Sequence, residues 1–194
     1  SVFKRDTGPE GSRLHLSPGV ALPLRYRGFW LEPSVAVEHT DYYISNPEPG
    51  QDAGPNRTTP IVSVDLGTVL ERGVRGGSGW LQTLEPRVQY VHIPFRDQDD
   101  LPVYDTIEPD FNLVQLFRTN RYVGADRVGD ANQVSVGVTS RLLDAAGGRQ
   151  FLSATLGQAY YFEDPRVRLP EELPRDQSTS DVIAELELAA FKNW

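Results

Sequence analysis

Carboxylates and arginines are the residue types here best equipped for chemistry. With 27 Asp and Glu, a pair acting as acid and base on a glycosidic bond is conceivable. That chemistry needs two carboxyls at a defined gap across the fold, which chain order does not supply. His15, His39 and His92 fall in three different segments without metal-ligand spacing, and are read as isolated hydrogen-bonding side chains. Asp97-Gln98-Asp99-Asp100 is acidic enough to attract calcium but lacks the glycine-containing loop pattern of a calcium hand, so it reads as a solvated turn. Gly76-Gly77-Ser78-Gly79 leads into alternating residues, not a helix, and is a turn rather than a phosphate cradle. Asn56-Arg57-Thr58 fits the glycosylation sequon, a short pattern that chance produces often. No nucleophile constellation is visible, and no catalytic, cofactor-binding or metal-ligating residue is expected.

The elements that must position these side chains are strands. Period-two alternation runs through Leu14–Leu24, Leu31–Val37, Val62–Leu70, Leu84–Tyr90, Val134–Leu142, Leu152–Tyr160 and Val182–Leu188. This predicts about seven strands of roughly 11–15 residues, long against a globular norm of about 5–6. Short connections at Tyr26-Arg27-Gly28, Gly73–Gly79 and Ala145–Gly148 alternate with long ones near 45–59, 94–130 and 163–180. Tight turns at one rim and long loops at the other suit an antiparallel, up-and-down transmembrane β-barrel segment. The expected fold class is accordingly all-β.

Aromatic placement fits the same picture. Trp30 and Trp80 each begin a strand after a short turn, and Trp194 ends the seventh strand at that rim. Tyr42, Tyr90 and Tyr160 lie toward the long loops. Two girdles at the lipid headgroup levels are expected from these six residues. Pro18, Pro33 and Pro86 lie within strands, where each removes a ladder donor and favours a bend. In the long loop, the spacing predicts a short helix over 111–117, started by Asp110 after Pro109. The mixed charges around it suggest an ion-pair network ordering the loop.

Composition sets outer limits. The net charge of −8 excludes a dominant basic surface, and nonspecific nucleic-acid binding with it. Apart from Lys4 and Lys192, all 19 basic residues are arginines, suited to fixed bidentate contacts. The absence of Cys removes disulfides, thiolate metal sites and a Cys nucleophile. No run of eighteen apolar residues suggests a membrane helix, and the first residues lack a signal-peptide core.

The run Leu84-Glu85-Pro86-Arg87-Val88-Gln89-Tyr90 through Pro94-Phe95-Arg96-Asp97-Gln98 resembles the barrel domain of the LptD family, the lipopolysaccharide-assembly proteins of the Gram-negative outer membrane. The likeness continues through Asp105, Asp110-Phe111-Asn112, Gln115-Leu116-Phe117-Arg118 and Asp126–Gln133. It ends with Gly137–Arg141 and Gly157–Phe162, so it covers about 84–162. The resemblance implies a periplasmic jelly-roll feeding a very large barrel, plugged by an LptE-like lipoprotein. Its cargo would be lipopolysaccharide, delivered from a periplasmic Lpt bridge and released among outer-membrane lipids without chemical change.

On that resemblance the chain, 1–194, is expected to be a partial outer-membrane barrel domain with a long extracellular-side loop at about 94–130. An odd number of strands points the same way, because bacterial barrels have even numbers from eight upward. Glu85, Arg87, Gln89, Gln133, Thr139 and Arg141 are expected to face the lumen. Arg96, Asp97, Asp126, Arg127 and Asp130 are expected to organise the loop over or into it. The competing expectation is a soluble carbohydrate-binding β-sandwich that stacks sugars on Trp30, Trp80 and the tyrosines. A third is an outer-membrane barrel enzyme with a polar triad near one rim.

Overall fold

The computed structural model describes residues 1–4, 10–47, 49, 52–74, 79–170 and 172–189. Its strands are β1 (Val2–Phe3), β2 (Gly11–Leu16), β3 (Gly19–Ala21), β4 (Leu24–Tyr26), β5 (Phe29–Ile44), β6 (Asn56–Thr68), β7 (Leu70–Gly73), β8 (Trp80–Ile93), β9 (Ala131–Asp144), β10 (Gln150–Tyr161) and β11 (Ile183–Leu188). One four-residue helix, α1 (Leu113–Leu116), interrupts the connection from β8 to β9.

All strands join one antiparallel sheet in the order β1-β2-β5-β6-β8-β9-β10-β11, with β3 and β4 also on β5 and β7 on β8. Register explains the fragments. Gly11↔Ile44, Gly19↔Ala36 and Leu24↔Leu31 share one register, so β2, β3 and β4 are a single strand path broken at Pro18 and Pro23. Both prolines lack the amide that the ladder would use. Likewise Gly67↔Arg87 and Leu70↔Leu84 keep step, and the gap between β6 and β7 lies across from Pro86. Counted as paths, the sheet matches the expected seven strands, with β1 added at the edge beside β2. β6 begins at Asn56, so the long connection after β5 is shorter than expected. Among the described residues the two edges, β1 and β11, do not pair with each other.

The turn between β4 and β5 places both Arg27 (φ 43) and Gly28 (φ 82) in the left-handed region. Two such residues twist a two-residue hairpin to match its strands. The ends of β7, β8, β9 and β10 that flank the other short connections lie at the same rim, and the strand ends that flank the long connections lie at the far one.

The two sheet faces differ sharply. On one, Leu14, Val20, Leu24, Val35, Val62, Leu84, Val138, Leu156 and Leu186 all stand exposed. The other is covered by the 94–130 connection, and the buried clusters lie beneath it. These are Ile61, Val91, Ile93 and Val128; Tyr42, Leu101 and Tyr104; and Leu116, Ala159 and Ile183. A sandwich would bury the apolar face against a second sheet. The described residues form a single sheet whose aliphatic face is bare, which sets the sandwich expectation aside.

Candidate functional site

The loop-covered face collects the sheet's polar chemistry. Odd-numbered residues of β6, β8 and β9 point to it, because side chains alternate along a strand. Asp65 on β6 receives a bidentate Arg87 from β8. Glu85 on β8 pairs with Arg141 on β9, and Thr139 and Thr155 share a 2.9 Å hydrogen bond. Gln89 is buried on this face, and Gln133 borders a separate hollow with Leu116, Arg121 and Tyr161. The structure thus places Glu85, Arg87, Gln89, Gln133, Thr139 and Arg141 together, on the side away from the exposed aliphatic residues.

The covering loop is anchored through a fully buried carboxylate. Asp126 accepts from the Arg13 guanidinium of β2 and from the Tyr104 and Asp105 amides at 2.7 and 2.8 Å. Arg57 of β6 reaches the Asp126 carbonyl at 2.7 Å and Gln98 Oε1 at 2.8 Å. Arg127 donates to the Leu101 carbonyl at 2.8 Å. Arg13 also forks onto Asp105, whose hydrogen bonds hold its carboxyl down at about 2. Asp130 accepts from the Arg166 and Val167 amides, tying this loop to the 162–182 connection.

Of the five expected loop organisers, Asp126, Arg127 and Asp130 occupy these buried junctions. Arg96 and Asp97 are exposed. Asp97 accepts from the Asp99 amide, and Arg96 contributes its backbone carbonyl to Gln98. Arg13, Arg57 and Gln98 hold the junction and were not anticipated from sequence. Arg13 and Arg57 sit at inward parity on polar strand faces, the one signal that could have marked them.

A second tie joins the two long loops. Tyr122 donates to Glu172 at 2.8 Å and to the Val167 carbonyl at 3.0 Å. Arg175 pairs with Glu108 at 2.7 Å. Burial pushes the Glu108 carboxyl up. Burial also acts upward on Glu172, but the Leu169 amide, the Tyr122 hydroxyl and the charges of Arg121 and Arg175 together bring that carboxyl down.

The helix docks on bare backbone. Gly137 and Gly157 are register partners on β9 and β10, and Gly67 lies in the same row across Arg87. Phe117 rests against Gly137 and Leu116 against Gly157, where a Cβ would collide with either side chain. The Arg87 guanidinium stacks on the Phe117 ring, 4.1 Å from its centroid. The expected helix is shorter than predicted, and its cap is Asn112, not Asp110. Asn112 is extended (φ −146), and its side chain accepts from the Val114 and Gln115 amides.

The residues expected to form girdles divide between the two faces of the sheet. Trp30 packs over Gly67 and borders the same hollow as Asp65 and Arg87, on the loop-covered face. It shares parity with Glu32 and Ser34, not with Leu31 and Val35. Tyr42 is buried beneath the loop beside Tyr104. Both are removed from an outward girdle. Tyr90 and Tyr160 are exposed and meet Phe162 edge-on, while Trp80 meets Phe151 at the short-turn rim. Trp194 lies outside the described residues.

Long alternating strands, an open antiparallel sheet with one bare aliphatic face, and a polar face roofed by a structured loop define the class: a segment of a β-barrel. The LptD family model, described as LPS transport system D, matches residues 1–194. A protein named LPS-assembly protein LptD from Nitrosococcus oceani is 43% identical over 99% of this chain, which spans 26% of that protein. The Alkalilimnicola ehrlichii protein of that name is 46% identical over 92% of the chain, and the Pseudomonas aeruginosa one 40% over 86%. These alignments span 24% and 19% of those two proteins. The chain belongs to the LptD family and covers about a quarter or less of the relatives it matches.

Proposed function

We propose that this chain is part of the wall of an outer-membrane translocon that carries lipopolysaccharide to the outer leaflet of a Gram-negative bacterium, without catalysis. The observation that carries the reading is the division of the sheet by face. Aliphatic side chains stand exposed on every strand path of one face, as a lipid-contacting wall requires. The other face holds the ion pairs and the loop, as a lumen requires. In this reading Glu85, Arg87, Gln89, Gln133, Thr139 and Arg141 line the lumen. The 94–130 connection lies on the extracellular side, and Trp80, Tyr90 and Tyr160 stand at lipid headgroup levels. An LptE-like lipoprotein would plug the completed barrel, and a periplasmic Lpt bridge would feed it.

Single cysteines introduced into the full-length protein test this directly. Val35→Cys and Val138→Cys should react with a membrane-dissolved maleimide and resist a charged one. Gln133→Cys and Thr139→Cys should do the reverse. Labelling of both sets by the charged reagent in intact membranes would overturn the proposal. Supplying the full-length protein to cells depleted of their own copy should restore surface lipopolysaccharide.

A further inference from the structure

Between α1 and the sheet lies a hollow of about 720 Å³, within the size range of small-ligand sites. Trp30 forms one wall, and among the described residues its ring enters no aromatic stack or cation–π contact. The opposite walls carry Arg87 and Arg141, each paired with a carboxylate of the next strand. The Arg87 and Arg141 side chains are 38% and 37% exposed, while Asp65 and Glu85 are 18% and 17% exposed. Both pairs line the cavity, and the guanidiniums are the more exposed members. Stacking on Phe117 fixes the Arg87 plane. At the mouth stands Arg118, exposed and in none of the ion pairs among the described residues. Three guanidiniums against two carboxylates leave this lining net positive in a chain of net charge −8.

We infer that this hollow is a binding site for an anionic saccharide, a sugar ring stacked on Trp30 with its phosphate or carboxylate held by Arg118, Arg87 and Arg141. An indole face matches the apolar face of a pyranose, and planar guanidinium forks match phosphate oxygens. Thr139 at the floor supplies a hydroxyl for ring oxygens. The ion pairs keep Arg87 and Arg141 in place when the site is empty, so little side-chain freedom is lost on binding. The inference deepens the transport reading and rests on it for the source of the sugar, the saccharide part of a glycolipid cargo held briefly on its way through the lumen.

The test uses the full-length protein in detergent and two probes, the deacylated phosphorylated oligosaccharide of lipopolysaccharide and its dephosphorylated form, with affinities measured by calorimetry. Arg118→Gln breaks no ion pair and should leave the fold intact by circular dichroism. It should weaken the phosphorylated probe about tenfold or more and leave the dephosphorylated one unchanged. Trp30→Ala should weaken both. A wild-type protein that binds neither probe, or affinities indifferent to both substitutions, would overturn the site. Surface lipopolysaccharide is followed in parallel in depleted cells. Restored delivery with binding indifferent to both substitutions rejects the site and leaves transport standing. Absent delivery with binding that both substitutions weaken rejects transport and leaves the site standing.

Discussion

Phe117 lies against the bare backbone of Gly137, its Cζ 2.9 Å from where a Cβ would stand. One hydrogen atom in place of a methyl therefore decides whether the long loop can sit on the sheet. Arg87 stacks on the same ring and is itself held by Asp65. The contacts between sheet and loop thus run Asp65, Arg87, Phe117, Gly137.

Gly137→Val should consequently displace α1 while leaving β9 paired. Overpacking of this kind costs about 1–3 kcal/mol. Hydrogen exchange in the full-length protein should show lost protection at Leu116, whose amide closes the helix on the Asn112 carbonyl, with Val136 and Val138 unchanged. Unchanged protection at Leu116 would mean that the glycine is not the seat.

Asp126→Ala removes the acceptor for Arg13 and two loop amides at once. Arg13 keeps Asp105, so the loss comes from the two loop amides left without an acceptor, about 1–3 kcal/mol each. Limited proteolysis should open the connection between Pro94 and Asp130. Asp105→Asn, at a carboxylate that is 44% exposed, should cost no more than about 1 kcal/mol and leave the loop resistant.

Much of this architecture was legible. Strands announce themselves through alternation, and the alternation of tight turns with long connections orders them without any contact information. Trp30 shows how a correct strand still misleads. Reading it by its distance from a turn put it in a lipid girdle, whereas its parity with Glu32 and Ser34 places it inward. The Arg13–Asp126 junction was not legible, because it joins positions 113 residues apart through a loop that has no period. The helix cap moved from Asp110 to Asn112 for a related reason. Both residues can cap, and only the backbone geometry selects one.

Acid should loosen the loop through Asp105. Its folded value of about 2 lies below the ordinary carboxylate range, so its contribution is fully present above the unfolded value near 3.9 and is lost as pH falls from there toward about 2. Glu108 runs the other way. Burial raises its value, so the protonated form is favoured in the folded loop, and its unfavourable contribution appears as pH rises through that value. Proteolysis of the loop measured from pH 5 down to pH 2 should therefore accelerate in wild type, and Asp105→Asn should flatten the profile. A profile that stays unchanged in Asp105→Asn would remove Asp105 as its source.

Val35→Arg tests the bare face. In the proposed setting Val35 meets hydrocarbon, and an arginine near the bilayer midplane of a barrel costs about 2–4 kcal/mol. At an ordinary wet surface the same change would stay within about 0.5 kcal/mol. The position is 55% exposed, so no packing within this chain obscures the difference. Urea unfolding of the full-length protein in phospholipid bilayers should show the larger loss, and Glu32→Arg, on the opposite face of the same strand, should not approach it. Equal, small effects at both positions would mean that the aliphatic face is not immersed in lipid.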